Sequence, residues 1–297
     1  MQGPPRAGDR KEGFLFRFGG EIRDLSARTH IMGILNVTPD SFSDGGMYGD
    51  PPRALDRALE MVAEGADFVD VGGESTRPRG TAYGEGARPV SAAEELGRIL
   101  PVLRLLGSRL EVPVSVDTYK AEVAEAALDA GAVIVNDISG FGFDPRMPEV
   151  VARAGATAVL MHTKAMPSGM PLQPRYDDLW GEILGFLSEA VSRAGRAGVL
   201  QVLVDPGLGF GKTVEHNLAV IAGLPRLARL GRPVLAGPSR KSFVGAVLDL
   251  PVGDRLEGSL AAAVACVLGG AHVLRVHDVG ATRRAVLLAD AIRRVAV

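Results

Sequence analysis

The chain has 297 residues, 46% of them hydrophobic, and a formal net charge of −2 at pH 7. That length and apolar content allow one large α/β domain with its own core, without disulfides or a structural metal. The near-neutral charge excludes nucleic-acid binding by blanket phosphate neutralisation, so any anion recognition must be local.

Residues 1–13 are polar and rich in Gly and Pro, and read as a flexible lead to a single domain over 14–297. They lack the apolar core of a signal peptide, and no later stretch reaches the roughly 20 apolar residues of a membrane span. A soluble, cytoplasmic protein is expected, and Cys266, in the apolar run LAAAVACVLGG, reads as a buried structural thiol. Next, FLFRFGGEIRDLSART alternates around Gly19–Gly20 and predicts a short β-hairpin capping one end of the domain.

A regular β-α beat follows. Thr29–Val37 is the first strand and Pro52–Glu64 its helix, with Leu55, Leu59 and Met61–Val62 on one side. Asp67–Gly72 is the second, followed by a helix over Ser91–Leu106; Glu94 lies three residues after Ser91, the spacing of a capping box. The third unit is Val112–Asp117 with Lys120–Ala130, the fourth Ala132–Asn136 with Met147–Ala154, and the fifth Ala156–Met161 with a helix near Leu179–Ala197. Leu200–Asp205 leads to a helix near Glu215–Leu224, and Pro233–Gly237 to one from about Ser242. Leu256–Leu268 is a further helix, and His272–Val276 is the last strand before a closing helix to Val297.

The predicted strands are short, unalternating and rich in Val, Ile and Leu, as when both faces are buried. Gly and Pro fall between units rather than at one linker. The expected fold is α/β, a (β/α)8 TIM barrel with a short N-terminal β-hairpin. An open doubly wound sheet shares the rhythm, but eight regular units fit closure better.

Each predicted strand ends in polar groups: Asn36, Glu74, Asp117, Asn136–Asp137, His162, Asp205, Ser239–Lys241 and Arg275–His277–Asp278. In a closed barrel those ends share one face, where active sites are built. Asn36 opens the loop NVTPDSFSDGG, and its amide oxygen suits Mg²⁺, which takes few protein ligands. Thr76, Arg77 and Pro78 follow the second strand and open a long Gly-rich loop of the kind used for lids or binding.

Asp117, Asn136, Asp205 and Lys241 suit a flat heterocycle with a guanidine-like edge. A carboxylate at Asp205 can accept two parallel hydrogen bonds, Asn136 can donate and accept, and Lys241 can donate to a ring carbonyl and imine. Asp117 would stabilise positive charge developing on the ring. Arg275 and His277 suit an anion at the last strand. His30, His216 and His272 read as structural and His162 is left open. DPGLGFGKT lacks the spacing of a nucleotide phosphate loop.

Taken in order, ILNVTPDSFSDGG, GGESTRP, VSVDT, VNDISG, LMH, VDPGLGFGKT, GPSRKS and RVHDV resemble the dihydropteroate synthases, pterin-binding barrels of the bacterial folate pathway, from about residue 29 to 280. The resemblance implies pterin contacts at Thr76, Asp117, Asn136, Asp205 and Lys241, with pyrophosphate and Mg²⁺ at Asn36, Arg275 and His277. It implies p-aminobenzoate contacts at Thr76, Pro78, Phe210 and Ser242, and a mobile first loop carrying Phe42 and Asp44. Asp117, Lys241, Arg275, His277 and Asp44 would be catalytic.

The reaction implied joins (7,8-dihydropterin-6-yl)methyl diphosphate to p-aminobenzoate, giving dihydropteroate and pyrophosphate by an SN1-like displacement with Mg²⁺-assisted departure. The resemblance further implies a sulfonamide target and a homodimer formed through barrel helices, without nucleic-acid or membrane partners. One departure is Arg79–Gly80 after GGESTRP, where the family usually has Gly directly. The rival readings are a pterin-binding methyltransferase, which needs no pyrophosphate site, and a catalytically silent paralogue, which should have lost loop-one or RVHD residues.

Overall fold

The computed structural model describes residues 13–38, 50–75, 89–166, 169 and 174–295. β1 (Leu15–Phe18) and β2 (Glu21–Asp24) form the expected antiparallel hairpin, with Leu15 opposite Asp24. The parallel strands are β3 (His30–Asn36), β4 (Phe68–Gly72), β5 (Val114–Asp117), β6 (Ile134–Asp137), β7 (Thr157–Met161), β8 (Val202–Asp205), β9 (Leu235–Ala236) and β10 (Val273–Val276). They pair in the order β8-β7-β6-β5-β4-β3-β10-β9. A bridge between Val204 and Val234, with Val204 N–H donating to Pro233 O at 3.0 Å, joins β8 to β9 and closes the ring.

The helices are α1 (Pro51–Ala63), α2 (Ala92–Gly107), α3 (Ala121–Asp129), α4 (Met147–Arg153), α5 (Leu179–Arg196), α6 (Val214–Ala222), α7 (Ser242–Leu248), α8 (Leu256–Leu268) and α9 (Val279–Val295). α1 begins on two prolines, whose missing N–H groups cost nothing in a first turn, and buries Ala54, Leu55, Ala58 and Met61 along one stripe. The capping box expected at α2 is half made. Ser91 Oγ accepts from Glu94 N–H at 3.1 Å, but the Glu94 carboxylate pairs with Arg98 instead of reaching back. A reciprocal box forms at α6, where His216 Nδ1 accepts from Thr213 N–H at 3.3 Å and Thr213 Oγ1 accepts from His216 N–H at 3.2 Å.

Several strands start later than their apolar runs suggest, and for β5 and β9 the reason is local. Pro113 and Pro233 have no N–H to give the ladder, although their carbonyls still accept from Val69 and Val204.

The core has two parts. Between strands and helices lies an apolar shell that includes Ile31, Val69, Val116, Leu160 and Val204. Inside the barrel, Met32, Phe68, Ile134, Val159, Leu203, Leu235 and Val273 meet Phe16, Phe18 and Leu25 from the hairpin. The hairpin therefore plugs the end where the strands begin. It is held there by Gln201, whose Nε2 donates to Arg17 O at 2.8 Å, and by Arg23, whose Nη1 donates to Asp67 O at 2.7 Å.

Candidate active site

Side chains two residues apart on a strand share a face. Stepping two residues from the apolar plug gives Asp70 after Phe68, Asn136 after Ile134, Met161 after Val159, Asp205 after Leu203, Gly237 after Leu235 and Arg275 after Val273. The barrel interior thus turns from apolar to polar over one pleat. The pocket above is lined by Asp117, Asn136, Ile138, Met161, Asp205, Leu208, Phe210, Gly237, Lys241 and Arg275, and encloses some 340 Å³ counting the solvent at its mouth.

Asp117, Asn136, Asp205, Lys241, Phe210 and Arg275 are therefore brought together as anticipated. Asn36 ends β3, and its Oδ1 lies 3.6 Å from where a Cβ on Gly72 would stand, as does the Asp117 Cβ. His277 sits just beyond β10 with Nδ1 3.0 Å from Ser239 Oγ, and Ser242 is the first residue of α7. Phe42, Asp44, Thr76 and Pro78, with Arg77 and Arg79–Gly80, lie outside the described residues.

The pocket's charge is organised around Arg275. Its Nε donates to Asp70 Oδ2 and its Nη2 to Asp117 Oδ2, each at 2.6 Å, while Nη1 makes no hydrogen bond among the described residues. Asn136 Nδ2 donates to the same Asp70 oxygen at 3.1 Å. Burial opposes charge on the guanidinium, but Asp70 and Asp117 outweigh it and hold Arg275 well above its ordinary value.

Burial, reinforced by the Asp70 charge, pushes the Asp117 carboxyl up to about 7 despite Arg275. Burial also raises Asp205 and, with Arg275 nearby, brings Lys241 down to about 8. His277 is driven down to about 3, by burial first and then by Arg275, Arg240 and Lys241. It is a neutral ring at neutral pH and lies outside the residues that line the pocket. Lys241 Nζ stands 4.3 Å from the Phe210 ring centroid, a cation–π contact that suits a desolvated ammonium. Asp117 Oδ1 and Asp70 Oδ1 are buried without a hydrogen-bond partner among the described residues.

Asp70 is the residue that reading the sequence overlooked. Its signal was present: a carboxylate inside the apolar run FVDVG is too costly to bury unless paired. Other polar strand ends go elsewhere. Asp137 faces away from Asn136 and braces its own turn, accepting from Ser139 N–H at 2.7 Å and Phe141 N–H at 3.1 Å. Glu74 accepts from Tyr119 Oη at 2.9 Å and pairs with Lys120, and Asp278 pairs with Arg240. His162 Nδ1 lies 3.0 Å from Lys212 Nζ, outside the pocket lining. His272 accepts from Val234 N–H at 3.0 Å, and Cys266 is buried, both structural as expected.

Residues 32–277 match the family model of the pterin binding enzymes. A dihydropteroate synthase of Synechocystis is 46% identical over 279 residues, covering 93% of this chain and 94% of that one. Among solved structures, the dihydropteroate synthase of Yersinia pestis with a sulfonamide drug superposes with a TM-score of 0.87 at 42% identity, over 94% of this chain and 99% of that one. The Xanthomonas albilineans dihydropteroate synthase with 4-aminobenzoic acid gives 0.86 at 42% identity, over 95% and 98%.

Proposed function

We propose that this chain, which belongs to the pterin binding enzyme family, joins a dihydropterin carried as its methyl diphosphate to p-aminobenzoate, as a dihydropteroate synthase does. It is a transferase of folate synthesis. The observation that carries the reaction is the convergence of Asp117, Asn136, Asp205, Lys241 and Arg275 in one pocket.

The pterin's amino group and ring N–H would donate to Asp205, with Asn136 and Lys241 on the rest of the heteroatom edge. The C–O bond between methylene and diphosphate breaks with its electron pair leaving on the diphosphate. The aniline nitrogen lone pair then forms the C–N bond, and that nitrogen gives up a proton. Charge that separates in the barrel mouth is met by fixed groups: Asp117 beside the ring, Arg275 and neutral His277 beside the diphosphate. Such preorganised charge supplies most of the acceleration in a reaction that needs no protein nucleophile.

Phe210, Ser242, Thr76 and Pro78 would hold p-aminobenzoate, the ligand in the Xanthomonas albilineans structure. Asp44, on the first loop, would help close the site. Mg²⁺ is the proposed cofactor, held by Asn36, and when bound it would draw charge from the diphosphate. The donor set fits: one neutral amide oxygen, beside a glycine at position 72, suits an ion completed by water and phosphate oxygens. Leu287, Leu288 and Ile292 of α9, exposed with Leu268 of α8, support a homodimer. No helix among the described residues is long and apolar enough to cross a membrane.

Pyrophosphate release by the purified protein with Mg²⁺ and the dihydropterin diphosphate tests the reaction. Release that requires p-aminobenzoate is expected; pterin binding without release would move the chain to the silent or methyl-transfer class. Lys241→Ala and Asp205→Asn should each weaken binding of a pterin diphosphate analogue by about 2–5 kcal/mol. Unchanged affinity by titration calorimetry would remove those residues from the pocket's chemistry.

A further inference from the structure

The loop from β8 to α6 carries the pocket's Leu208 and Phe210 and follows directly on Asp205. It turns on Gly207, Gly209 and Gly211, at φ +73°, +81° and +56°. Three left-handed glycines in five positions give this segment much backbone freedom to lose. Its course also has no slack. A Cβ on Gly207 would stand 2.0 Å from His162 O, and one on Gly209 would stand 2.8 Å from Lys241 Cδ. A small displacement of the loop would therefore move Lys241 as well as Phe210.

Lys212 holds this path from outside the pocket. Its Nζ donates to Gly207 O at 2.9 Å and Phe210 O at 3.2 Å, and lies 3.0 Å from His162 Nδ1. An ammonium has three N–H groups, and here each has an acceptor. No carboxylate forms an ion pair with it among the described residues. Burial, outweighing the favourable charge of Asp205, brings Lys212 down to about 7, so the pin holds a lysine that is only part-charged at neutral pH. His162 is fixed in turn: its N–H donates to Asp205 O at 2.9 Å, and its ring meets Phe186 edge-on at 5.1 Å. Burial, then Lys212 and Lys164, drives His162 down to about 3, and the neutral ring accepts at Nδ1 when its proton is on Nε2. The far side of the loop is held by Asn217, whose Oδ1 accepts from Gly209 N–H at 2.7 Å.

We propose that Lys212 is a positioning residue: by tying the carbonyls of Gly207 and Phe210 to His162, it fixes the β8–α6 loop so that Phe210 and Lys241 stand where the pterin pocket needs them. Lys212 touches no reacting atom; it acts through the loop. The inference rests on the reaction proposed above.

The test uses the full chain and its two substrates. Lys212→Met keeps the length and removes the donors. It should raise KM for the dihydropterin diphosphate about tenfold while kcat changes less than threefold. His162→Leu, which keeps the lysine, should show the same split at smaller amplitude. The double variant should be no worse than Lys212→Met, because both changes break one pin, and His162→Gln, which restores an acceptor, should recover most of the wild-type KM. A lowered melting temperature with wild-type KM in both single variants makes Lys212 merely structural and overturns the proposal, as do additive effects in the double variant. If Lys212→Met does not fold, an unchanged KM in His162→Leu overturns it alone. Failure of the wild-type protein to turn over is distinct from these outcomes, and counts against the reaction itself.

Discussion

Arg275 ties two acids on different strands into one buried charge cluster, because both share its guanidinium. Asp70 holds Nε and Asp117 holds Nη2, while Nη1 has no hydrogen bond among the described residues. The negative charge of Asp70 is among the forces that lift Asp117 to about 7, behind burial. Glu95 on α2 pushes the same way, while Arg275 and Lys241 oppose it. Neutralising Asp70 as Asp70→Asn should therefore move the titration of Asp117 to lower pH. Pterin affinity measured from pH 5 to 8 should show its acid limb displaced downward in the variant. An unmoved limb would mean that Asp70 only packs. Arg275→Ala should weaken pyrophosphate binding and slow turnover while sparing bare pterin, and equal losses for both ligands would make the arginine structural.

At the scale of elements, the hairpin and the strand ends divide the labour. Phe18 is buried in the plug and meets Phe68 edge-on at 5.0 Å, one pleat below Asp70. Phe18→Ala should cost about 3–5 kcal/mol in urea unfolding, the usual cost of truncating a buried aromatic, with both KM values unchanged. A shift in KM without lost stability would contradict the separation of plug and pocket. The hairpin was legible because Gly19–Gly20 interrupts an alternating run. What it covers was not, since nothing in that local stretch says which barrel end it meets. The turn after β6 shows the same limit: Asn136 and Asp137 look equivalent in VND. The pleat sends one into the pocket and the other back to hold Phe141 at φ +66°.

For the whole molecule, buried neutral histidines set a pH dependence. His272 accepts from Val234 N–H where β9 meets β10, and burial, then Arg293 and His30, bring it down to about 4, with Asp24 opposing. That lies below the roughly 6.5 of an unfolded histidine, so between these values the unfolded chain binds the proton and the folded chain does not. The stability is fully present above about pH 6.5 and is lost as pH falls toward 4, at up to about 1.4 kcal/mol per pH unit. His272→Asn keeps an acceptor for Val234 but cannot titrate. Urea midpoints at pH 7 and pH 5 should therefore differ more in the wild type than in this variant; parallel curves would mean that His272 is not titrating in this window.

The amino-acid sequence by itself determined the repeat of strand and helix, the hairpin, and the list of polar groups at strand ends. Apolar runs, glycines, prolines and caps are local signals, and each acts within a few residues. It also carried the family resemblance, since motif order is a property of the string. Only the tertiary structure decided which strand-end groups share the pocket and which brace loops. Closing the ring brings Asp70, Asp117 and Arg275 together across as many as 205 residues of chain. Only the pleat fixes whether adjacent polar residues face the barrel axis or the helices. Lys212 shows the same dependence: its partners are two carbonyls of its own loop and a histidine 50 positions away, which meet only once β7 and β8 are paired.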